Sequence, residues 1–284
     1  MAANRFHREV MMEKKTERFP GARLMAAVVL LGYGLVQAGA WNRKPGAGVV
    51  TGSISFLTAS EVSDAKGNRR DYAIKELAVA AYGEYGVFQS LAFGAAISPH
   101  KFVYSDSGDA QGVSDLELWG DRHLLTRGNL QVAMRLLAVF PVGLENRAWT
   151  PDWLYALHSQ GALGIEAMPL LGWSRQGLWM QGGLGGRLRG NGLVGQFRYQ
   201  YSVGTSVGPG KWLGLRLGLS GVVPLESESN GKPSDQEMYF GQQLAAEAKL
   251  PQRLRLGLQF DSMISAGQEL PLGLRSNLFL GWAW

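Results

Sequence analysis

Leu274, Leu278, Leu280, Trp282 and Trp284 fall on one side of an extended chain, while Arg275, Asn277, Gly281 and Ala283 fall on the other with Phe279 among them. Side chains switch faces at every residue only in a β-strand, so this period-two pattern fixes the local structure of the C-terminus. The alternation recurs along the chain. Leu213, Leu215, Leu217 and Leu219 oppose Gly214, Arg216, Gly218 and Ser220. Likewise, Leu130, Val132, Met134, Leu136, Ala138 and Phe140 oppose Gln131, Ala133, Arg135, Leu137 and Val139.

Segments of this kind are separated by turn chemistry: Gly83 to Gly86, Thr126 to Asn129, Ser174 to Gly177, Arg189 to Gly192, Gly208-Pro209-Gly210 and Pro251-Gln252-Arg253. Longer polar stretches intervene at 144–160 and 226–235, and a loop containing Asp106-Ser107-Gly108-Asp109 follows the strand that ends near Ile97. The count is about twelve strands, with connections alternating between short and long. Alternating segments of about ten residues joined in this way match transmembrane barrels.

A soluble sandwich also alternates, but two features favour a membrane. The polar rows mix Gly94, Gly214, Gly218 and Gly257 with long Arg and Glu side chains, as a confined wet interior demands. The apolar rows are nearly pure leucine, with Trp173, Tyr201, Trp212, Trp282 and Trp284 assigned to one end and Phe56, Tyr72 and Phe140 to the other, like interfacial girdles. No run after residue 40 approaches the ~20 apolar residues of a spanning helix. Backbone groups in hydrocarbon have no water to satisfy them, so such strands must close on one another. The expected fold is all-β: a closed antiparallel transmembrane β-barrel of about 12 strands over residues 41–284.

Residues 1–40 read differently. A basic lead (Arg5, Arg8, Lys14, Lys15, Arg18, Arg23), the apolar run Leu24 to Val36 and the small-x-small triplet Ala38-Gly39-Ala40 are those of a secretory signal peptide cut after Ala40. The lead is long, which makes Met11 or Met12 an alternative start. Six basic and three acidic side chains in this segment supply most of the chain's net charge of +5. The basic balance is therefore no argument for nucleic acid. With no cysteine anywhere, thiolate metal sites and thiol nucleophiles are excluded.

If the polar rows point inward, charge segregates. Glu76, Asp115, Glu117 and Glu166 lie early, and Arg187, Arg189, Arg198, Arg216, Arg255 and Arg275 late. Two arrangements follow: acidic and basic walls facing each other across a lumen, or ion pairs that interlock and fill it. The pore-lining candidates are Arg135, Arg187, Arg198, Arg216, Arg255, Glu117 and Glu247, each interrupting an otherwise apolar strand. Ser98 with His100, on one face, and Ser159 beside His158 are the only candidates for a hydrolase pair, and neither carries an orienting motif. Asp106 and Asp109, or Glu226, Glu228 and Asp235, lack the spacing of a calcium loop. No catalytic residue, cofactor or metal site is assigned.

The C-terminal strand, ending on an aromatic with apolar residues two, four and six positions before it, resembles the assembly signal of bacterial outer-membrane β-barrels. That resemblance implies an outer-membrane location, lipid as neighbour, and the barrel-assembly machinery as partner through the strand ending at Trp284. Three further stretches are Glu84-Tyr85-Gly86, Gly112-Val113-Ser114-Asp115-Leu116 and Phe140-Pro141-Val142-Gly143. They resemble the outer-membrane channel family associated with the phenol meta-cleavage pathway, although Val142 replaces that family's usual Thr. This second resemblance runs from about Leu77 to Gly143 and implies a channel for passive uptake or export of small, often aromatic or hydrophobic, molecules. A plugged structural or surface-interaction barrel and a lipid-modifying enzyme are the alternatives.

Overall fold

The computed structural model describes residues 40–41, 43–63, 69–105, 108–143, 162–190, 195–225, 239–265 and 271–284. Thirteen strands follow in chain order: β1 (Gly48–Ser63), β2 (Arg69–Phe88), β3 (Leu91–Ser105), β4 (Gly108–Gly112), β5 (Leu116–Arg127), β6 (Leu130–Phe140), β7 (Gly164–Arg175), β8 (Leu178–Arg189), β9 (Gln196–Val207), β10 (Leu213–Pro224), β11 (Tyr239–Lys249), β12 (Leu254–Ser265) and β13 (Pro271–Ala283). Apart from β4 and β5, which both pair with β3, each pairs antiparallel with its sequence neighbours, and β13 pairs with β1, which closes the sheet. The short β4 and β5 share one position in the wall. Lys101 to Ser105 of β3 pair with β4, whereas Leu91 to Ala96 pair with β5. The barrel therefore has twelve wall positions, as the alternation predicts.

Between those two stretches the ladder is interrupted at Pro99, which has no N–H to give. Hydroxyls close the gap. The Ser98 N–H donates to Ser114 Oγ at 2.8 Å, Ser98 Oγ donates to the Val79 carbonyl at 2.6 Å, and the Ser114 N–H donates to the Ser98 carbonyl at 2.9 Å. A proline sits inside a transmembrane wall only because these groups satisfy the backbone around it.

The predicted rows hold. In β13, Leu274, Leu278, Leu280 and Trp282 face outward while Arg275, Asn277 and Phe279 are buried inside. In β10, Leu215, Leu217 and Leu219 are exposed on the outside. Leu136, Leu184, Leu188, Leu258 and many others continue an apolar belt around the wall. A belt of this extent would be an aggregation surface in water and is the solvent-matched surface in lipid.

Some sequence expectations are corrected. Gly83 to Gly86 is not a turn: β2 runs through it to Phe88, and Tyr82 and Glu84 are interior residues. The strand expected to end near Ile97 continues to Ser105, and Gly108 and Asp109 belong to β4 instead of a loop. Trp173, Trp212 and Trp282 do lie near the short-turn end, but Phe56 and Tyr201 stand midway along β1 and β9 and belong to the belt instead of a girdle. The leader (apart from Ala40), the 144–160 and 226–235 loops, and Asp106 lie outside the described residues.

The short turns at 89–90, 128–129, 176–177, 209–211 and 251–253 gather at one end with the start of β1 and the end of β13. In barrels of this type that end faces the periplasm. Gly48 and Trp284 exchange backbone hydrogen bonds there, at 3.3 and 3.1 Å.

Candidate functional site: the charged barrel interior

All seven pore-lining candidates stand on interior rows, and the interior is where the charges meet. Arg135 donates to both oxygens of Asp121 at 2.7 and 2.8 Å and lies over the Trp119 ring, 5.7 Å from its centroid. Arg187 reaches Glu166 at 3.0 Å, and Glu117 at 3.7 Å. Arg198 donates to the same Glu166 at 2.7 Å. Arg216 donates to Gln259 Oε1 at 2.9 Å, and Arg255 to Glu247 at 3.3 Å.

Acidic and basic side chains pair with one another along the wall instead of facing each other unpaired across a lumen. Most run between neighbouring or next-neighbouring strands, while Arg187 and Glu117, on β8 and β5, meet across three wall positions. Such geometry is strong: a planar guanidinium against a carboxylate gains charge-assisted hydrogen bonds where water does not compete. It is also required, since a buried carboxylate without a partner would be very costly.

Other members of this lining stand outside the seven candidates: the alternation places Glu76 and Arg275 inward, but it misses Lys101, Asp121 and Glu84. Lys101 donates to Glu76 at 3.2 Å and Arg275 to the same carboxylate at 2.9 Å, all three nearly fully buried. Asp261 collects amide donors from Gln243 (3.1 Å), Gln259 (2.9 Å) and Asn277 (2.9 Å). Lys101 was hidden because Pro99 marks the end of a strand by ordinary rules. Glu84 stands in a segment that reads as a turn, and continuing the interior alternation of β5 past Trp119 would have found Asp121.

Exposure divides the lining. The side chains of Arg187 and Glu166 are 1% and 4% exposed, whereas those of Arg198, Glu247 and Arg255 are 16%, 23% and 29% exposed. The exposure lies toward the two ends, with Arg198 near the loop end of β9 and Glu247 and Arg255 near the turn end of β11 and β12, whereas Ser202, Ala245, Gln259 and Asp261 between them are buried. On β1 to β6, Val49, Tyr82, Ala96, Trp119, Leu137 and Val139 form an apolar cluster inside the barrel. Glycine notches let interior rings pack. A Cβ at Gly257 would collide with the ring of Phe279, so that glycine is required by a close approach and is not merely a small residue in a wet space.

The hydrolase pair is not assembled. Ser98 is buried inside, bonded to backbone, while His100 is exposed and stacks on Phe102 with centroids 5.3 Å apart and planes 9° apart. The register break between Val79 and Ala81, opposite this segment, puts the two side chains on opposite faces instead of one. His158 and Ser159 lie outside the described residues.

No family model and no curated protein matches the chain significantly. Among solved structures, it is similar to an outer membrane channel from Pseudomonas putida F1, with a TM-score of 0.72 and 15% identity, covering 88% of this chain and 100% of that one. It is also similar to the NanC porin, with a TM-score of 0.53 and 7% identity over 82% of this chain and 98% of that one. At such identities the likeness is one of fold. The closed wall, the continuous apolar belt and the charged interior define a bacterial outer-membrane β-barrel.

Proposed function

We propose that the barrel is a narrow passive channel for small molecules. The observation that carries this reading is the partly exposed charged surface of Arg198, Glu247 and Arg255, set inside a wall that otherwise faces lipid. Twelve strands lie between eight-stranded barrels filled by side chains and the wide channels of sixteen or more. The similarity of fold to an outer membrane channel supports the reading, and the resemblance of Leu77 to Gly143 points to small aromatic or hydrophobic solutes. Bilayer conductance of the pure protein, with a liposome-swelling panel of small solutes, tests it. Small discrete currents and swelling are expected, with Arg255→Glu shifting ion selectivity; silence in both assays would overturn the channel reading.

The near-complete burial of Arg187 and Glu166 favours a second reading, a plugged structural barrel, which that silence would support. A lipid-modifying enzyme has no assembled Ser–His pair among the described residues to support it. We infer also that the assembly machinery engages β13. Deleting Trp284, which bonds to Gly48 at the closing seam, is expected to lower the amount of heat-modifiable folded barrel in outer membranes.

A further inference from the structure

Along the arc from β7 to β12, the turn end of the wall carries exposed charge of one sign. Arg175 ends β7, Lys211 lies in the turn before β10, Lys249 ends β11, and Arg253 lies in the turn before β12; all four are exposed. None of them is in an ion pair among the described residues. Of the acidic side chains toward this end, Glu84 and Asp121 are buried inside, paired with Arg43 and Arg135, and Glu247 is bonded to Arg255. The connections from β6 to β7 and from β10 to β11 have the opposite balance, with Glu145, Asp152, Glu226, Glu228, Asp235 and Glu237 against Arg147 and Lys232.

Two of the turns in this arc are built alike. In Pro209-Gly210-Lys211 and Pro251-Gln252-Arg253 the two residues after the proline are left-handed, with φ of 69° and 55° in the first and 60° and 64° in the second. Glycine or asparagine is the ordinary occupant of that backbone region, yet both turns place a long cation there. The two turns are neighbours, since the Lys249 N–H donates to the Trp212 carbonyl at 2.7 Å and joins the end of β11 to the start of β10. Lys211 leans the other way. Its Nζ lies 3.8 Å from where a Cβ at Gly177 would stand, which brings it to the turn that follows Arg175.

Indoles alternate with these cations. Trp173 is two residues before Arg175, Trp212 follows Lys211 and is 47% exposed, and Trp282, 49% exposed, pairs with Leu254 beside Arg253. Tryptophan settles at the headgroup level of a bilayer, where part of its ring is wet and the rest apolar. The cations therefore stand at the height of lipid phosphates.

We propose that the rim formed by the β7–β8, β9–β10 and β11–β12 turns is a binding surface for anionic phospholipid headgroups of the inner leaflet. Cations gathered without carboxylates repel one another, and a phosphodiester among them removes that repulsion while accepting charge-assisted hydrogen bonds from Lys211 and Arg253. The acyl chains of such a lipid continue onto the outward leucines of the same strands, among them Leu171, Leu215 and Leu256. A soluble acidic protein would meet the charges and leave that apolar continuity unused. The inference is independent of whether the barrel conducts.

Native mass spectrometry of the purified barrel, released from vesicles of phosphatidylcholine and phosphatidylglycerol in equal amounts, reads which lipid stays bound. Wild type is expected to retain phosphatidylglycerol over phosphatidylcholine at least about threefold, as basic clusters beside a membrane wall attract anionic lipid. Lys211→Asn with Arg253→Asn is expected to bring the ratio near one, asparagine being a residue that keeps the left-handed turns. Heat-modifiable gel mobility confirms that each variant is folded. Arg122→Gln with Arg127→Gln removes the same charge from β5, outside the arc, and is expected to leave the ratio unchanged.

An unchanged ratio in the Lys211 and Arg253 pair would overturn the site. An equal fall in both pairs would overturn it as well, since net charge alone would then account for the preference. Loss of the bound lipid to inorganic phosphate, but not to chloride at the same ionic strength, would assign the arc to a free anion and overturn the lipid as occupant. A wild-type ratio near one would also overturn the proposal, and binding of polyglutamate in its place would point to an acidic protein.

Discussion

Arg275 and Glu76 are 199 residues apart in sequence and 2.9 Å apart in the barrel, where they tie β13 to β2 across the intervening β1. Lys101 of β3 shares the same carboxylate, so one acidic side chain joins the two ends of the chain at the closing strands. None of the three side chains is more than 3% exposed.

Removing Arg275 leaves Glu76 buried with one remaining cation. A fully stranded buried ion costs about 3–5 kcal/mol. Because Lys101 stays in place, Arg275→Ala is expected to cost less, about 2 kcal/mol of folding stability. The double variant Arg275→Ala with Lys101→Ala is expected to cost more than the sum of the singles. Urea-dependent unfolding in detergent or lipid vesicles measures both, and a purely additive pair would show that Glu76 does not couple them.

Leu217, 57% exposed on the outer face midway along β10, tests the facing of the rows. Leu217→Arg is expected to destabilise the membrane-inserted barrel by about 2–4 kcal/mol, the cost of arginine near the bilayer midplane. Leu213→Arg, at the turn end of the same strand, is expected to cost about 0–1 kcal/mol, since its head group reaches the interface. Equal effects at both positions would contradict the placement of the belt.

Gly257 and Phe279 face each other across β12 and β13, and the phenyl ring fills the space a side chain at Gly257 would take. Gly257→Ala is expected to cost about 1–3 kcal/mol by overpacking, and Phe279→Ala about 3 kcal/mol by leaving a cavity. The double variant is expected to be more stable than the sum predicts, because the new methyl occupies part of the vacated space. Refolding yield and urea midpoints give the comparison.

Export is tested by N-terminal sequencing of protein taken from outer membranes. Cleavage after Ala40 gives Trp41 as the first residue, the expected outcome. Gly39 as the first residue would mean that Ala40, packed against Ala133, Met168 and Leu170, remains in the mature chain. An intact leader would overturn the proposal of export by a cleaved signal.

Much of the wall is legible in single residues. The outward Leu215, Leu217 and Leu219 and the inward Arg216 follow from alternation alone, because a transmembrane strand has lipid on one side and enclosed polar groups on the other. Gly83 and Gly86 mislead for a physical reason. Glycine serves turns, but it also serves wherever backbone from elsewhere approaches closely, and Gly86 makes room for the Lys44 carbonyl. Pro99 misleads similarly: only the hydroxyls of Ser98 and Ser114 allow the wall to continue past it.

The site is less legible than the wall. That Arg187 and Glu166 face inward can be read from the alternation; that they meet at 3.0 Å depends on how β7 and β8 are staggered, which the alternation leaves undetermined. The packing of Trp41 against Trp179 depends on the path of a segment without periodicity, and only the assembled barrel reveals it.

The seam between Gly48 and Trp284 sets a condition on synthesis. Because the last residue of the chain is a partner of the first strand, a copy cut short by even one strand has two raw edges and no water within the bilayer to cover them. Those edges would be β1 and β12, so the wall is compatible with hydrocarbon only while β13 lies between them.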